Sequence, residues 1–222
     1  MVMSFAGGVR DAIGRRGYVE VGSGEIAAVD LSHGTMLWRR AGVGRPIAAT
    51  PDRLLTLDVV GNGFVVRFLD AQSGTDAGQA EVAGMPDWAL TGLAPDAVQV
   101  TAAEMPEGVE LRWRIRKPYR GGAPPPREIS AQAEDALTGS LVVDPKASRV
   151  VSAAGPGPDH DTESRQQSPA STAAGMADDR TFTLDSTGSE LVLEARAGAD
   201  NQLLWRLPLA PLRASRPPPL RK

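Results

Sequence analysis

The chain contains no cysteine in 222 residues. Disulfides, thiolate metal sites and cysteine nucleophiles are therefore excluded, while the compartment is not fixed by this absence. Aromatic residues make up only 5%, and His33 and His160 are the only histidines. No apolar run approaches the roughly 20 residues that a membrane-spanning helix needs. The formal net charge of −3 argues against strong overall attraction to nucleic acid or anionic membrane. The first stretch, MVMSFAGGVRDAIGRR, sets no basic residue ahead of its short apolar patch, which Gly7 and Gly8 interrupt. That is a poor secretory signal, and a cytoplasmic location is expected on this ground.

What the chain does have is hydrophobic content of 41%, charged content of 23%, 24 glycines and 18 prolines. Short apolar runs broken by Gly and Ser are a β pattern, too interrupted for long helices. Tyr18-Val19-Glu20-Val21 turns through Gly22-Ser23-Gly24 into Ile26 to Val29, and Met36-Leu37-Trp38 follows. Leu54 to Val60 and Phe64 to Leu69 flank Gly61-Asn62-Gly63, a hairpin signal because Asn and Gly tolerate the positive φ of a tight turn. Ala97 to Ala102 and Val109 to Ile115 form a second hairpin around Met105-Pro106-Glu107-Gly108, preceded by Ala94-Pro95-Asp96 as the first is preceded by Thr50-Pro51-Asp52.

The pattern repeats. Asp179 to Asp185 matches Asp52 to Asp58 position by position, 127 residues on. Asp30 and Gly34 are echoed by Asp70 and Gly74, and Trp38 by Trp205, which follows Ala197 at the spacing that separates Trp38 from Asp30. Leu141 to Asp144 and Arg149 to Val151 read as the remnant of a degenerate unit. A period of about 42 residues, with four short strands per unit, predicts an all-β protein: a β-propeller of about four to five four-stranded blades, one degenerate. The expected organisation is a poorly defined segment over 1–17 and the propeller over 18–209. A mobile loop is expected at about 155–175, and an extended, Pro-rich basic tail at 210–222.

The stretch GEIAAVDLSHGTMLWRR, Gly24 to Arg40, resembles the AlDa-x-TG-x-x-lW signature of pyrroloquinoline-quinone-like (PQQ-like) repeats. Asp30, Gly34 and Trp38 match it, Asp70 and Gly74 match without the Trp, and Trp205 matches without the Asp and Gly. His33 stands where the family has Thr. The resemblance implies that Asp and Gly shape the turn between third and fourth strands and that Trp packs between blades. It also implies a non-catalytic branch, because quinoproteins of the family need calcium, ligands for it and often adjacent cysteines on a much longer chain. No cofactor is expected. The implied role is a protein-interaction scaffold or a sensory, ligand-binding domain, with a protein as partner and an extracytoplasmic setting open to it. The alternatives are an enzyme, hydrolase or lyase, working in the central channel, and a fragment of a larger propeller completed by another chain.

Other candidate sites have plainer readings. Gly22-x-Gly24-x-x-Ala27 fits a dinucleotide-binding fingerprint, but Gly34 arrives too soon for the helix such a site needs. His160 lies among Asp159, Asp161 and Glu163 without the Gly that would curve them round an ion, so no metal is expected. Arg112, Arg114 and Arg116 alternate with apolar residues and share one strand face, a patch for an anion or a partner, unless Glu104, Glu107 or Glu110 pairs with them. Pro208-x-x-Pro211-x-Arg213 spells a polyproline ligand, and a loose basic end explains it as well.

Overall fold

The computed structural model describes residues 3–5, 8–11, 13–22, 24–60, 63–82, 98–115, 137–158, 180–186, 189–198 and 200–211. They form antiparallel sheets, with no helix among them. The first sheet runs β1 (Met3–Phe5), β2 (Gly8–Arg10), β3 (Arg16–Gly22), β4 (Glu25–Asp30) and β5 (Thr35–Arg40). The second contains β6 (Arg45–Ala49), β7 (Arg53–Val60), β8 (Gly63–Asp70) and β9 (Asp76–Val82). The third contains β10 (Val98–Met105), β11 (Gly108–Ile115), β12 (Leu137–Asp144) and β13 (Arg149–Pro158). The fourth contains β14 (Arg180–Asp185), β15 (Glu190–Ala197) and β16 (Leu203–Pro211). Each sheet is an up-and-down meander in chain order.

Three apolar clusters fix the order of the sheets in space. Phe182, Leu193, Ala195 and Leu209 of the fourth sheet pack on Val19, Ala27, Val29 and Leu31 of the first. The other face of the first sheet, with Tyr18, Ile26 and Ala28, meets Ala49, Leu54, Leu69 and Ala71 of the second. Leu55, Leu57, Val66 and Phe68 then meet Val109, Leu111, Trp113, Ile115 and Val143 of the third. The spatial order is fourth, first, second, third. Among the described residues no apolar cluster joins the third sheet to the fourth.

Burial patterns follow from this order. Ile26 to Val29 are all fully buried, because alternate residues of a strand feed two covered faces. In β11 the buried residues are Val109, Leu111, Trp113 and Ile115, with Glu110, Arg112 and Arg114 between them on the opposite face. The fourth sheet likewise sets Glu194, Arg196 and Arg206 away from its core side. Glu194 pairs with Arg196 at 2.9 Å and with Arg206 at 3.5 Å. The two interior sheets are apolar on both sides, and the two end sheets carry acid–arginine ladders outward.

The structure departs from the sequence reading in several places. Strands β1 and β2 lie within 1–17, where no element was expected. Each is only three residues long, too short for alternation to reveal it in the sequence. Residues 155–158, expected within a mobile loop, end β13, with Gly157 and Pro158 paired to Thr138 and Leu137 at the start of β12; the rest of that segment lies outside the described residues. Ala210 and Pro211, assigned to the tail, end β16. The hairpin β10–β11 forms as predicted, but it fills the first two places of its sheet, beside β6 and not beside β7. Its likeness to β7–β8 is that of any hairpin with a Pro-Asp lead. The third copy holds to the residue: Arg180↔Ala197, Phe182↔Ala195 and Leu184↔Leu193 reproduce Arg53↔Asp70, Leu55↔Phe68 and Leu57↔Val66.

Candidate functional site

The turns that close the last hairpin of each sheet share one construction. In the β4–β5 turn, Asp30 Oδ1 accepts the Ser32 and His33 N–H groups at 2.7 and 3.2 Å. In the β8–β9 turn, Asp70 Oδ1 accepts from Gln72 and Ser73 N–H at 3.0 and 2.8 Å and from the Ser73 hydroxyl at 2.9 Å. Asp144 does the same in the β12–β13 turn with Lys146 and Ala147 N–H, at 3.0 and 3.1 Å. Aspartate suits this place because its short side chain bonds the backbone two and three residues on. Four residues after each Asp the chain takes positive φ: Gly34 at 66°, Gly74 at 71° and Ser148 at 51°. In the fourth sheet Ala197 replaces the Asp, and Asn201 keeps the dihedral at 52°.

These turns are docking points between sheets. A Cβ on Gly74 would lie 2.8 Å from the Trp38 ring, and one on Gly34 would lie 2.5 Å from Trp205. The tryptophan of one sheet therefore lies flat on the glycine turn of the next, fourth on first and first on second. Each indole also tilts against an aromatic of its own sheet, Tyr18 for Trp38 and Phe182 for Trp205, with centroids 5.9 Å apart in both cases. The first–second junction adds polar bonds. Trp38 Nε1 and the Tyr18 hydroxyl both donate to Ala71 O, at 3.3 and 3.1 Å, and Arg40 donates to Gly74 O and pairs with Asp76. At the second–third junction Gly78 occupies the tryptophan place, beside Ser148 in the glycine place.

The site residues expected from sequence thus fall into two contacts, Trp38 with Gly74 and Trp205 with Gly34, and each Asp is spent within its own turn. Burial opposes ionisation of Asp30, but bonds from the His33 ring and from Ser32 and His33 N–H outweigh it and hold its pKa below the ordinary value. Asp70 is lowered by the Ser73 N–H first, then the Ser73 hydroxyl, with Gln72 N–H and Arg53 adding to them. The His33 ring sits 3.1 Å from Asp30 Oδ2, exposed, and closes the turn. Gly22 and Gly24 lie in the β3–β4 hairpin, so no helix follows them. Arg112 lies on the outer face of the third sheet, 3.1 Å from Glu110, with Arg114 two residues on; Arg116 and His160 lie outside the described residues. Among the described residues no His, Asp and Glu cluster able to hold a metal forms, and no helix is long and apolar enough to cross a membrane.

The sequence reading missed a cleft of about 410 Å³ beside these turns. Arg16 lines it from the first sheet, Pro51, Asp52, Arg53, Asp70 and Gln72 from the second, and Lys146 from the third. Asp11, fully buried, accepts the Arg15 and Arg16 N–H groups at 2.8 and 3.2 Å and fixes the start of β3. Arg16 then donates to Pro51 O at 3.0 Å, and Arg53 donates to the next carbonyl, Asp52 O, also at 3.0 Å. Two guanidinium groups are thereby hung on consecutive carbonyls of one turn. Arg53 reaches Asp70 Oδ2 only at 3.6 Å. Behind them burial pushes the Tyr18 phenol up to about 12, against the lowering pull of Arg16. In sequence, the recurrence of Arg at the first position of β3, β7 and β14, in Arg16, Arg53 and Arg180, is the signal that could have located this side.

The described residues are all-β, in four antiparallel sheets packed face to face in the order fourth, first, second, third. No protein-family profile matches the chain, and no curated protein matches it in sequence. Among solved structures it is similar to BamB from Moraxella catarrhalis, at 14% identity and a TM-score of 0.37, over 90% of this chain and 51% of BamB. It is also similar to the quinohemoprotein alcohol dehydrogenase ADHIIG from Pseudomonas putida HK5, at 15% identity and a TM-score of 0.39, over 89% of this chain and 34% of the enzyme. The chain thus spans about half of the first and a third of the second.

Proposed function

We propose that the four sheets are blades of a PQQ-like β-propeller and that the chain acts as a non-catalytic scaffold for a protein partner. The observation that carries this reading is the turn end of the array. Exposed tips from three adjacent sheets converge there on one polar cleft, held by buried strands and by the Trp–Gly contacts. Binding surfaces are commonly loops fixed on a rigid frame. The displaced carboxylates of this end, Asp30 and Asp70, are displaced downward by turn bonds, which suits structural acceptors better than general acids.

The reading is tested by placing a photo-crosslinking residue at position 72, in the cleft, and at position 37, on exposed β5, in the host cell. Discrete protein adducts from position 72 and few from position 37 are expected. An absence of protein adducts at position 72 and at the other exposed turn tips would overturn it.

A further inference from the structure

We infer that the cleft between the first, second and third sheets takes a carboxylate group of an acidic peptide segment. The inference rests on the scaffold reading and gives its partner a chemistry. Three cations reach the cleft from three different sheets: Arg16, Arg53 and Lys146. Arg16 and Arg53 are each anchored through one nitrogen on consecutive carbonyls, Pro51 O and Asp52 O. Their guanidinium groups are therefore positioned beforehand. Arg16 also bonds the Tyr18 phenol and Arg53 Nε is buried, so it is the terminal N–H groups lining the cleft that are left to meet a carboxylate. Lys146 stands exposed on the β12–β13 turn, with no ion pair to its ammonium among the described residues.

Two carboxylates share the lining. Asp70 is turned to the backbone and hydroxyl of its own turn and only loosely faces Arg53. Asp52 is exposed and unpaired among the described residues. The lining thus carries a small positive excess, with a carboxylate left at the rim. A singly charged carboxylate fits that balance. A phosphate dianion would bring a second negative charge against Asp52 with no further cation to meet it. Asp52 in turn offers an acceptor to the N–H groups of a peptide main chain.

The test uses the full chain and a short fluorescent peptide of Asp, Glu and Ser, followed by anisotropy at low and at physiological salt. The expected result is binding that weakens with salt, weakens several-fold (about 5-fold) in Lys146→Gln and tightens about 3-fold in Asp52→Asn, as single exposed charges do. Both positions are exposed, so these variants leave the folded frame intact; Arg16→Gln is a further variant whose fold is checked by its melt. Peptide binding unchanged in both exposed-site variants, or none at low salt, overturns the proposal. Displacement of the peptide by inorganic phosphate, beyond that by chloride at equal ionic strength, overturns the carboxylate in favour of a phosphoryl ligand. If adducts form at position 72 and are unchanged by Lys146→Gln and Asp52→Asn, the cleft assignment fails while the scaffold reading stands.

Discussion

The junction between the first and second sheets and that between the second and third solve one packing problem in two ways. At the first, Trp38 lies on Gly74, Ala71 O receives two side-chain donors, and Arg40 ties β5 to the neighbouring turn. At the second, the tryptophan and glycine places hold Gly78 and Ser148, and a larger apolar cluster built round Phe68, Leu111 and Trp113 supplies the contact. The fourth–first junction is intermediate. Trp205 lies on Gly34, but its buried indole nitrogen has no partner among the described residues, and Phe182 has no hydroxyl where Tyr18 has one. One device is directional and fixes register; the other is area and tolerates drift in the turn.

The sharpest way to break the comparison is Trp38→Ala. Removing the ring from Gly74 and Ala71 O should cost about 3–4 kcal/mol, read as a lower denaturant midpoint. Next comes alkaline titration. Tyr18 has its pKa raised from 10.0 to about 12, so folding favours the protonated phenol. That stabilisation is complete below the unfolded value near 10 and is lost as pH rises through about 12. A shift of that size corresponds to about 3 kcal/mol. Melts at pH 9 and at about pH 12 should show the loss in the native chain and its absence in Tyr18→Phe, with the difference between the two isolating the phenol from other alkaline groups. The smallest effects contrast the two turns directly. Gly74→Ala, at φ 71° and against the indole, should destabilise by about 2 kcal/mol or more. Ser148→Gly, at φ 51°, should change stability by under about 1 kcal/mol, because relief of the left-handed dihedral offsets the added freedom of the unfolded chain. Equal costs for the two substitutions would remove the distinction.

Much of the fold was legible because its signals are local. The hairpins about Asn62 and Pro106, the strands Ile26–Val29 and Met36–Trp38, and the copy at Asp179 all follow from alternation and turn residues. What escaped was whatever depends on a dihedral or on phase. Ser148 and Asn201 satisfy the same backbone demand as Gly34 and Gly74, so a reading by residue type finds two of the turns where a reading by φ finds four. The place of β10–β11 within its sheet becomes plain only from the Asp144 turn. The cleft escaped because Arg16, Asp52 and Lys146 are far apart in the chain and meet only when three sheets have packed.

The tryptophans have a consequence of another kind. Trp205 marks the fourth–first contact, Trp38 the first–second and Trp113 the second–third. With the chain's fourth tryptophan, Trp88, which lies outside the described residues, replaced, each remaining indole is a lamp fixed in a different seam of the molecule. Emission from single-tryptophan versions would therefore report, seam by seam, the sequence in which the array loosens.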